Sequence, residues 1–319
     1  MNQTPATTRS IPIIIGPTAG GKTALAVELA LRERAAGGEA EIVSADSMLL
    51  YRGMDIGTAK PTIEERRGVV HHLIDVAEPS ESFSVKQWLD LAERTIADIR
   101  ARGAWPIVVG GTHLYVKALL DGLFEGPGAD EAVRARLSAL PAAELRAMLE
   151  ARDPAAAAKL HPNDLRRTVR ALEVLELTGV PMSEHQKQWD ASRGPREFTL
   201  AGLEWPVEAI NRRINARVKE MMLRGLLEEV RSLRDRAALG PQAREALGYK
   251  QLLMHLDGRC TLEEAVEAIK IETRRFAKNQ RTWARRLRTT GGSTWIDAST
   301  VPLEGQCEAV ERACGASAG

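Results

Sequence analysis

The chain has 319 residues, 44% of them hydrophobic and only 4% aromatic, which allows two domains or one domain with an insertion around a core built from Ala, Leu, Ile and Val. The formal net charge of +1 excludes a polycation or polyanion overall, so any charged function must come from local clustering. Cys260, Cys307 and Cys314 are odd in number and lack metal-like spacing, which argues against a disulfide framework. The opening MNQTPATTRS has no apolar core for a secretory signal, and no apolar run approaches the ~20 residues of a membrane span. The expectation is a soluble, cytoplasmic, monomeric protein.

The first informative stretch is Ile11–Thr23, IPIIIGPTAGGKT. Four isoleucines broken only by Pro12 read as a short buried strand. Gly16, Pro17, Thr18, Ala19, Gly20, Gly21, Lys22 and Thr23 then fit G-x-x-x-x-G-K-[ST], the loop that cradles phosphate. Its glycines let backbone N–H groups approach an anion, Lys22 adds a point charge, and Thr23 offers a hydroxyl to Mg²⁺. The helix from Thr23 onward turns its N-terminus to the anion. Gly37-Gly38 end it, and Ala40–Ser44 reads as a second strand with Asp46 and Ser47 beyond its C-terminal end. Ligands gather at such strand ends in open α/β sheets, so Asp46 is expected to face the phosphate cleft.

Tyr51–Pro61, YRGMDIGTAKP, has no period and several Gly and Pro residues, a loop by composition. His71–Asp75 suggests a short strand; the paired histidines have no further ligands at metal spacing and read as structural or solvent-facing. Ser84 caps a helix running to about Arg102, with Val85, Trp88, Leu89, Ala92, Ile96 and Ile99 near one face. Pro106–Val109 is a third buried strand, ending in Gly110-Gly111-Thr112, and His113–Leu120 a helix. This alternation predicts a parallel doubly wound sheet. No acidic residue follows the strand 106–109, which disfavours ATP hydrolysis.

From Phe124 strands vanish. Helical patterns appear at 130–138, 142–152 and 163–178, punctuated by Pro127, Pro141, Pro154, Pro162 and Pro181, and predict an all-helical insertion over 124–197 within an α/β core of 11–123 and 198–297. In the third of these helices Arg166, Arg167 and Arg170 share a surface, while Leu165, Val169, Leu172 and Leu175 can pack inward. Thr199–Leu203 reads as a strand returning to the sheet. A helix with Ile210, Ile214, Val218 and Met221 as its stripe follows, with Arg213 and Arg217 on another face. Leu226 to about Leu239 is a further helix, ended by Gly240-Pro241. Residues 1–10 and 298–319 read as loose tails.

The strongest charge signal lies on the helix 261–289. Between Glu267 and Arg288 stand eight basic and two acidic residues, a local charge of +6. Arg274, Lys278, Arg281, Arg285 and Arg288 step by four and three along one face over roughly 21 Å. Ile269, Phe276, Trp283 and Leu287 form the expected buried stripe. A one-signed track of this length points to a polyanion such as nucleic acid.

These residues match a family. The chain resembles the tRNA dimethylallyltransferases (tRNA isopentenyltransferases) through GPTAGGKT at 16–23, ADSMLLYRGMDIGTAKP at 45–61, VGGTHLYVKALLDGL at 109–123, DPAAAAKLHPNDLRRTVRALEVLELTG at 153–179, ALGYKQL and TRRFAKNQRTW. Leu49 stands where many relatives have Gln, and Gly20 where Ser is usual. The resemblance implies a P-loop α/β core with a helical insertion, and transfer of a dimethylallyl group from dimethylallyl diphosphate to the exocyclic amine of the adenosine 3′ of the anticodon, tRNA position 37.

In that setting the phosphate loop holds the pyrophosphate leaving group, with Lys22 and Mg²⁺ on Thr23 stabilising its charge. Asp46 is the candidate general base for a weakly nucleophilic adenine amine. Thr112 is a candidate to orient adenine or diphosphate, and Arg217, or alternatively Arg213, to clasp the diphosphate. The target base must be extruded from the anticodon stem-loop. By resemblance, Asp46, Ser47, Met48, Leu49 and Thr112 meet the RNA near the target, and Arg134, Arg166, Arg167 and Arg170 meet it from the insertion. Glu245, Ala246, Leu247, Gly248, Tyr249 and Lys250 hold the stem-loop, together with Lys278, Asn279, Gln280, Arg281, Thr282, Trp283, Ala284 and Arg285. The rival readings are a small-molecule or nucleotide kinase, which leaves the basic helix unexplained, and a nucleotide-switched RNA-binding protein without transfer chemistry.

Overall fold

The computed structural model describes residues 9–123, 126–185, 198–288 and 293–315. The chain forms two compact units, one from residues 1–118 with 196–319 and one from residues 119–195.

The larger unit is built on a six-stranded sheet of β1 (Ile11–Ile15), β2 (Ala40–Ser44), β3 (His71–His72), β4 (Trp105–Val109), β5 (Phe198–Glu204) and β6 (Thr294–Asp297). Their order is β3-β2-β4-β1-β5-β6, with every pairing parallel. A parallel sheet is covered on both faces and its strands read as unbroken apolar runs; β1, β2 and β4 are buried throughout. Pro12 is tolerated in a central strand because it sits second, and pairing with β4 begins only at Ile13↔Val108. The order sets β4 between β1 and β2, so the C-terminal ends of these three strands, Ile15, Ser44 and Val109, lie side by side.

Leu25, Ala26, Leu29 and Ala30 of the helix Lys22–Ala35 pack into the core on one face of the sheet. The same cluster takes in Cys307, Val310 and Cys314 of a last helix, Leu303–Gly315, and Arg32 donates two hydrogen bonds to Glu311 at 2.9 and 3.0 Å. The reading of 298–319 as a loose tail is therefore wrong up to Gly315. Ile296 and the stripe Cys307, Val310, Cys314 close one end of the core, with cysteine serving as a small apolar residue. The reading of 1–10 as a tail falls outside the described residues up to Thr8, and Ser10 is buried.

Capping follows the sequence closely. Ser84 and Gln87 form a reciprocal capping box at the helix Val85–Ala101, and Thr261 and Glu264 do so at the helix Leu262–Leu287. Prolines behave less as terminators than expected. Pro154 opens an additional helix, Pro154–Lys159, and Pro241 opens a short one, Pro241–Arg244. Pro lacks only an N–H that the first helical turn would leave unpaired anyway.

YRGMDIGTAKP is a knot tied by buried charge. Lys60, 7% exposed, donates to Tyr51 O at 2.8 Å and pairs with both Asp55 and Asp75. Glu229, on the helix Leu226–Asp235, accepts the backbone N–H groups of Asp55, Ile56 and Gly57 at 2.8–3.1 Å and the Tyr249 hydroxyl. At the sheet edge, Glu41 binds Arg102 and His72. Arg102 is the first cause that holds the Glu41 carboxyl down at about 2, against the opposing effect of burial. His72 is thus a structural partner, and the described residues contain no group of three His, Cys, Asp or Glu able to hold a metal.

The smaller unit holds the helices Glu131–Ser138, Ala142–Arg152, Pro154–Lys159 and Leu165–Thr178. Leu137, Leu145, Leu149, Ala157, Val169 and Leu172 form its core. Leu165, expected inside, is 41% exposed. Buried Asp153 ties two segments, accepting from Ala156 N and Ser183 N, each at 3.0 Å.

Candidate active site and RNA-facing surface

The phosphate loop joins β1 to the helix Lys22–Ala35. Gly16 has φ 152°, and a Cβ there would stand 2.9 Å from Leu203 O, so only glycine lets the chain leave β1 beside β5. Three side chains brace the loop from outside. The Trp205 indole donates to Gly20 O at 3.0 Å, Arg213 Nε donates to Ala19 O at 2.8 Å, and Gln280 Oε1 accepts from Thr18 N at 2.7 Å. The Arg213 guanidinium also lies over the Trp205 ring, 4.6 Å from its centroid.

Lys22 Nζ donates to Gly16 O at 3.1 Å and Pro17 O at 2.9 Å, folded back over its own loop. Its pKa is pushed down to about 8, by burial first, with nearby Asp46 opposing and Arg217 reinforcing the shift. Lys22 therefore senses both Asp46 and Arg217 electrostatically. Of the two arginines offered by the sequence, Arg213 is engaged as a brace, and Arg217 keeps an exposed side chain beside this group.

At the end of β2, Asp46 Oδ1 accepts from Met48 N at 2.9 Å. Its other oxygen has no hydrogen-bond partner among the described residues, so the carboxylate is anchored on one side and open on the other. Thr112, at the end of β4, accepts from Ser47 N at 2.9 Å and donates to Ser47 Oγ at 3.2 Å. Its hydroxyl thus positions the Asp46–Ser47 loop. Gly110 permits this contact: a Cβ there would stand 2.1 Å from Ala45 O. Trp88, stacked on Tyr115 with centroids 4.4 Å apart, donates to Ser44 O and fixes the end of β2.

His113 follows immediately. It stacks on Trp283, centroids 5.9 Å apart, and its Nε2 is buried without a partner. Burial first, then the positive charge of Lys22, lowers its pKa to about 4, so the ring is neutral near pH 7. Nothing local in the chain singles out His113, Trp205 or the bracing role of Gln280, because each acts through a partner distant in sequence.

The basic helix Leu262–Leu287 departs from expectation in its buried face. Ala265, Ile269, Ala277, Gln280 and Ala284 are buried, whereas Phe276 is 40% exposed and Trp283 and Leu287 are half-buried. Small residues let this helix approach the strand-end loops closely. The ends of the cationic track are neutralised: Arg274 binds Asn215 and Glu267, and Arg288 binds Glu204. Between them Lys278 and Arg285 are exposed, and Arg281 Nε is buried without a partner. Of the residues expected to touch RNA, Gln280, Ala284, Ala246, Gly248 and Tyr249 are buried, so they support neighbours instead. Glu245, Leu247, Lys250, Asn279 and Thr282 keep accessible surface, with Lys250 paired to Glu245.

The insertion's arginines are also partly engaged. Glu173, with no exposed surface, accepts from Arg134 Nε at 2.9 Å, Arg170 Nη1 at 2.7 Å and Asp130 N at 2.7 Å. Arg167 lies 3.5 Å from Asp164, and Arg166 is exposed.

A P-loop after the central strand β1, a carboxylate held by one oxygen after β2 on the far side of β4, and a basic helix braced against the loop define a P-loop α/β protein. The description "IPP transferase" matches residues 49–287. A tRNA dimethylallyltransferase of Geobacillus kaustophilus is 48% identical over 280 residues, 86% of this chain and 87% of that protein. One of Anaeromyxobacter dehalogenans is 47% identical over 89% of this chain and 93% of its own. Among solved structures, the full-length tRNA isopentenylpyrophosphate transferase of Bacillus halodurans is 41% identical, with a TM-score of 0.71 over 97% of this chain and 96% of its own. A eukaryotic dimethylallyltransferase acting on tRNA gives 0.78 at 29% identity, over 91% and 74%. The chain belongs to the IPP transferase family.

Proposed function

We propose that this protein is a tRNA dimethylallyltransferase that moves the dimethylallyl group of dimethylallyl diphosphate to the N6 amine of adenosine 37 in the anticodon stem-loop, acting as a cytoplasmic monomer. The observation that carries the reading is Asp46, held by one oxygen, open at the other, and electrostatically coupled to Lys22 of the phosphate loop. As the N6–carbon bond forms and the allylic carbon–oxygen bond breaks, Asp46 takes the N6 proton. Pyrophosphate leaves onto the loop N–H groups, with Lys22 swinging from its backbone acceptors onto the phosphates and Arg217 meeting them from the side.

Mg²⁺ suits this donor set. The Thr23 hydroxyl would be one hard oxygen ligand, and an ion that keeps several waters and binds substrate phosphates needs few protein ligands. When bound, it neutralises charge developing on the diphosphate. Thr112 acts here by holding the Asp46–Ser47 loop. Incubating an anticodon stem-loop with protein, Mg²⁺ and dimethylallyl diphosphate should give an RNA heavier by one dimethylallyl group, detected by mass spectrometry. Asp46→Ala should lower turnover by about 10²–10⁴-fold while stem-loop binding persists. An unmodified RNA together with γ-phosphate transfer from ATP would favour a kinase instead.

A further inference from the structure

Gln280 ties the basic helix to the phosphate loop by a hydrogen bond. Gln280 is 2% exposed, and its planar amide spans two strand-end loops. The carbonyl oxygen accepts from Thr18 N at 2.7 Å, on the loop after β1, and the amide nitrogen donates to Gly111 O at 3.1 Å, on the loop after β4. Gly111 is glycine for this reason: a Cβ there would stand 2.4 Å from Gln280 Nε2 and 3.7 Å from Lys22 Nζ. A second contact lies three residues on, where Trp283 stacks on His113. Lys278 and Arg285 project into solvent from the same 26-residue helix.

We propose that Gln280 is a positioning residue that couples RNA seated on the helix Leu262–Leu287 to the shape of the phosphate loop. This inference rests on the reading of that loop as a diphosphate site and that helix as an RNA surface. A rigid amide that satisfies one donor and one acceptor fixes the separation of Thr18 and Gly111. It can do so only while the helix keeps its place. Phosphates that draw Lys278, Arg281 and Arg285 toward them bear on the helix, and Gln280 transmits that load to the loop N–H array. The groups it holds, Thr18 N–H and Gly111 C=O, lose their partners together if the helix shifts. An anion that orders the loop must, by the same linkage, favour the helix position that binds RNA.

The test is equilibrium binding to the full-length protein, with inorganic pyrophosphate and Mg²⁺ as the non-reacting probe of the loop. Calorimetry gives the pyrophosphate Kd with and without saturating anticodon stem-loop, and the stem-loop Kd with and without pyrophosphate. In the wild type each ligand should tighten the other by the same factor, at least about fivefold. Gln280→Met keeps the side chain's length and removes both hydrogen bonds. The factor should then fall below about twofold, whatever change the lost brace makes to either ligand's affinity on its own. Gln280→Glu keeps the acceptor for Thr18 N–H and loses the donor to Gly111 O. Its factor should lie between the two, and it gives the reading if the Met variant fails to fold. An unchanged factor in a folded variant, or equal weakening of both ligands with the factor intact, overturns the inference and leaves Gln280 as packing. A wild type that binds both ligands independently overturns the coupling but not the proposed function; a wild type that binds neither overturns both.

Discussion

Two basic surfaces that look alike in the sequence differ once their surroundings are known. The insertion offers Arg134, Arg166, Arg167 and Arg170; the helix Leu262–Leu287 offers Lys278, Arg281 and Arg285. In the insertion a single carboxylate without exposed surface, Glu173, gathers Arg134, Arg170 and the Asp130 N–H. On the long helix acidic partners engage Lys270, Arg274, Arg275 and Arg288, while Lys278 and Arg285 between them are exposed. A row of arginines is evidence for a polyanion only after the buried carboxylates nearby have been counted. Arg134 and Arg170 organise their own unit, leaving Arg166 exposed; on the long helix Lys278 and Arg285 have charge left for a partner.

Removing the hub should have the largest effect. Glu173→Ala leaves two guanidinium groups facing an emptied, dry site. Breaking a buried pair from one side costs about 3–5 kcal/mol, and the partial exposure of both arginines puts the expected loss at about 3 kcal/mol, read as a lower Tm and faster proteolysis within residues 126–185. The pH dependence has a definite sign. Burial raises the Glu173 pKa, but Arg170, the Asp130 N–H and Arg134 outweigh it and hold the folded value below 4.5. Its contribution is therefore complete above the unfolded value and is lost as pH falls through the folded one. Acidification below pH 4.5 should destabilise the wild-type insertion and leave the variant's added deficit smaller. If Glu173→Ala unfolds at the wild-type temperature, the hub is no more than a surface pair.

Next in size is charge reversal on the long helix. Arg281→Glu with Arg285→Glu should weaken stem-loop binding on the order of 10²-fold, about 2.7 kcal/mol, with little change in Tm. Arg134→Gln should do the opposite, lowering stability while altering RNA affinity by less than about threefold, under 1 kcal/mol. Filter binding beside thermal unfolding gives both quantities for each variant. Equal RNA effects from the two pairs of measurements would erase the distinction between the surfaces.

What the sequence made legible was local. Strand, loop and helix at Ile11–Ala35 follow from an apolar run and a glycine-rich motif, and Ser84 and Thr261 announce their helices through capping residues three positions apart. Asp46 and Thr112 were identifiable as strand-end residues, but not their division of labour, because Thr112 acts through Ser47, 65 residues away in sequence. Gln280 was visible only as one residue of a basic stretch; its partners are 262 and 169 residues distant. The helix Leu303–Gly315 was missed because its stripe is made partly of cysteine, which carries a weak apolar signal. YRGMDIGTAKP, the most specific piece of the family resemblance, is largely architectural: Lys60 and Glu229 satisfy it internally.

The smallest expected effect is also the most discriminating count. Five phosphate contacts along the track would give a log–log salt slope near −3.5 to −4.5. With Arg274 and Arg288 engaged by acidic neighbours, Lys278, Arg281 and Arg285 are left, and the slope contributed by this helix drops to about −2 to −3. Lys278→Gln should reduce it by about one more, whereas Arg274→Gln should hardly move it, since that guanidinium is already bound to Asn215 and Glu267. Equal changes from the two variants would mean that RNA pulls Arg274 away from its acidic partner. RNA affinity would then draw on charge released on binding as well as on charge free beforehand, and the ion-paired arginines of the insertion would be available to RNA in the same way.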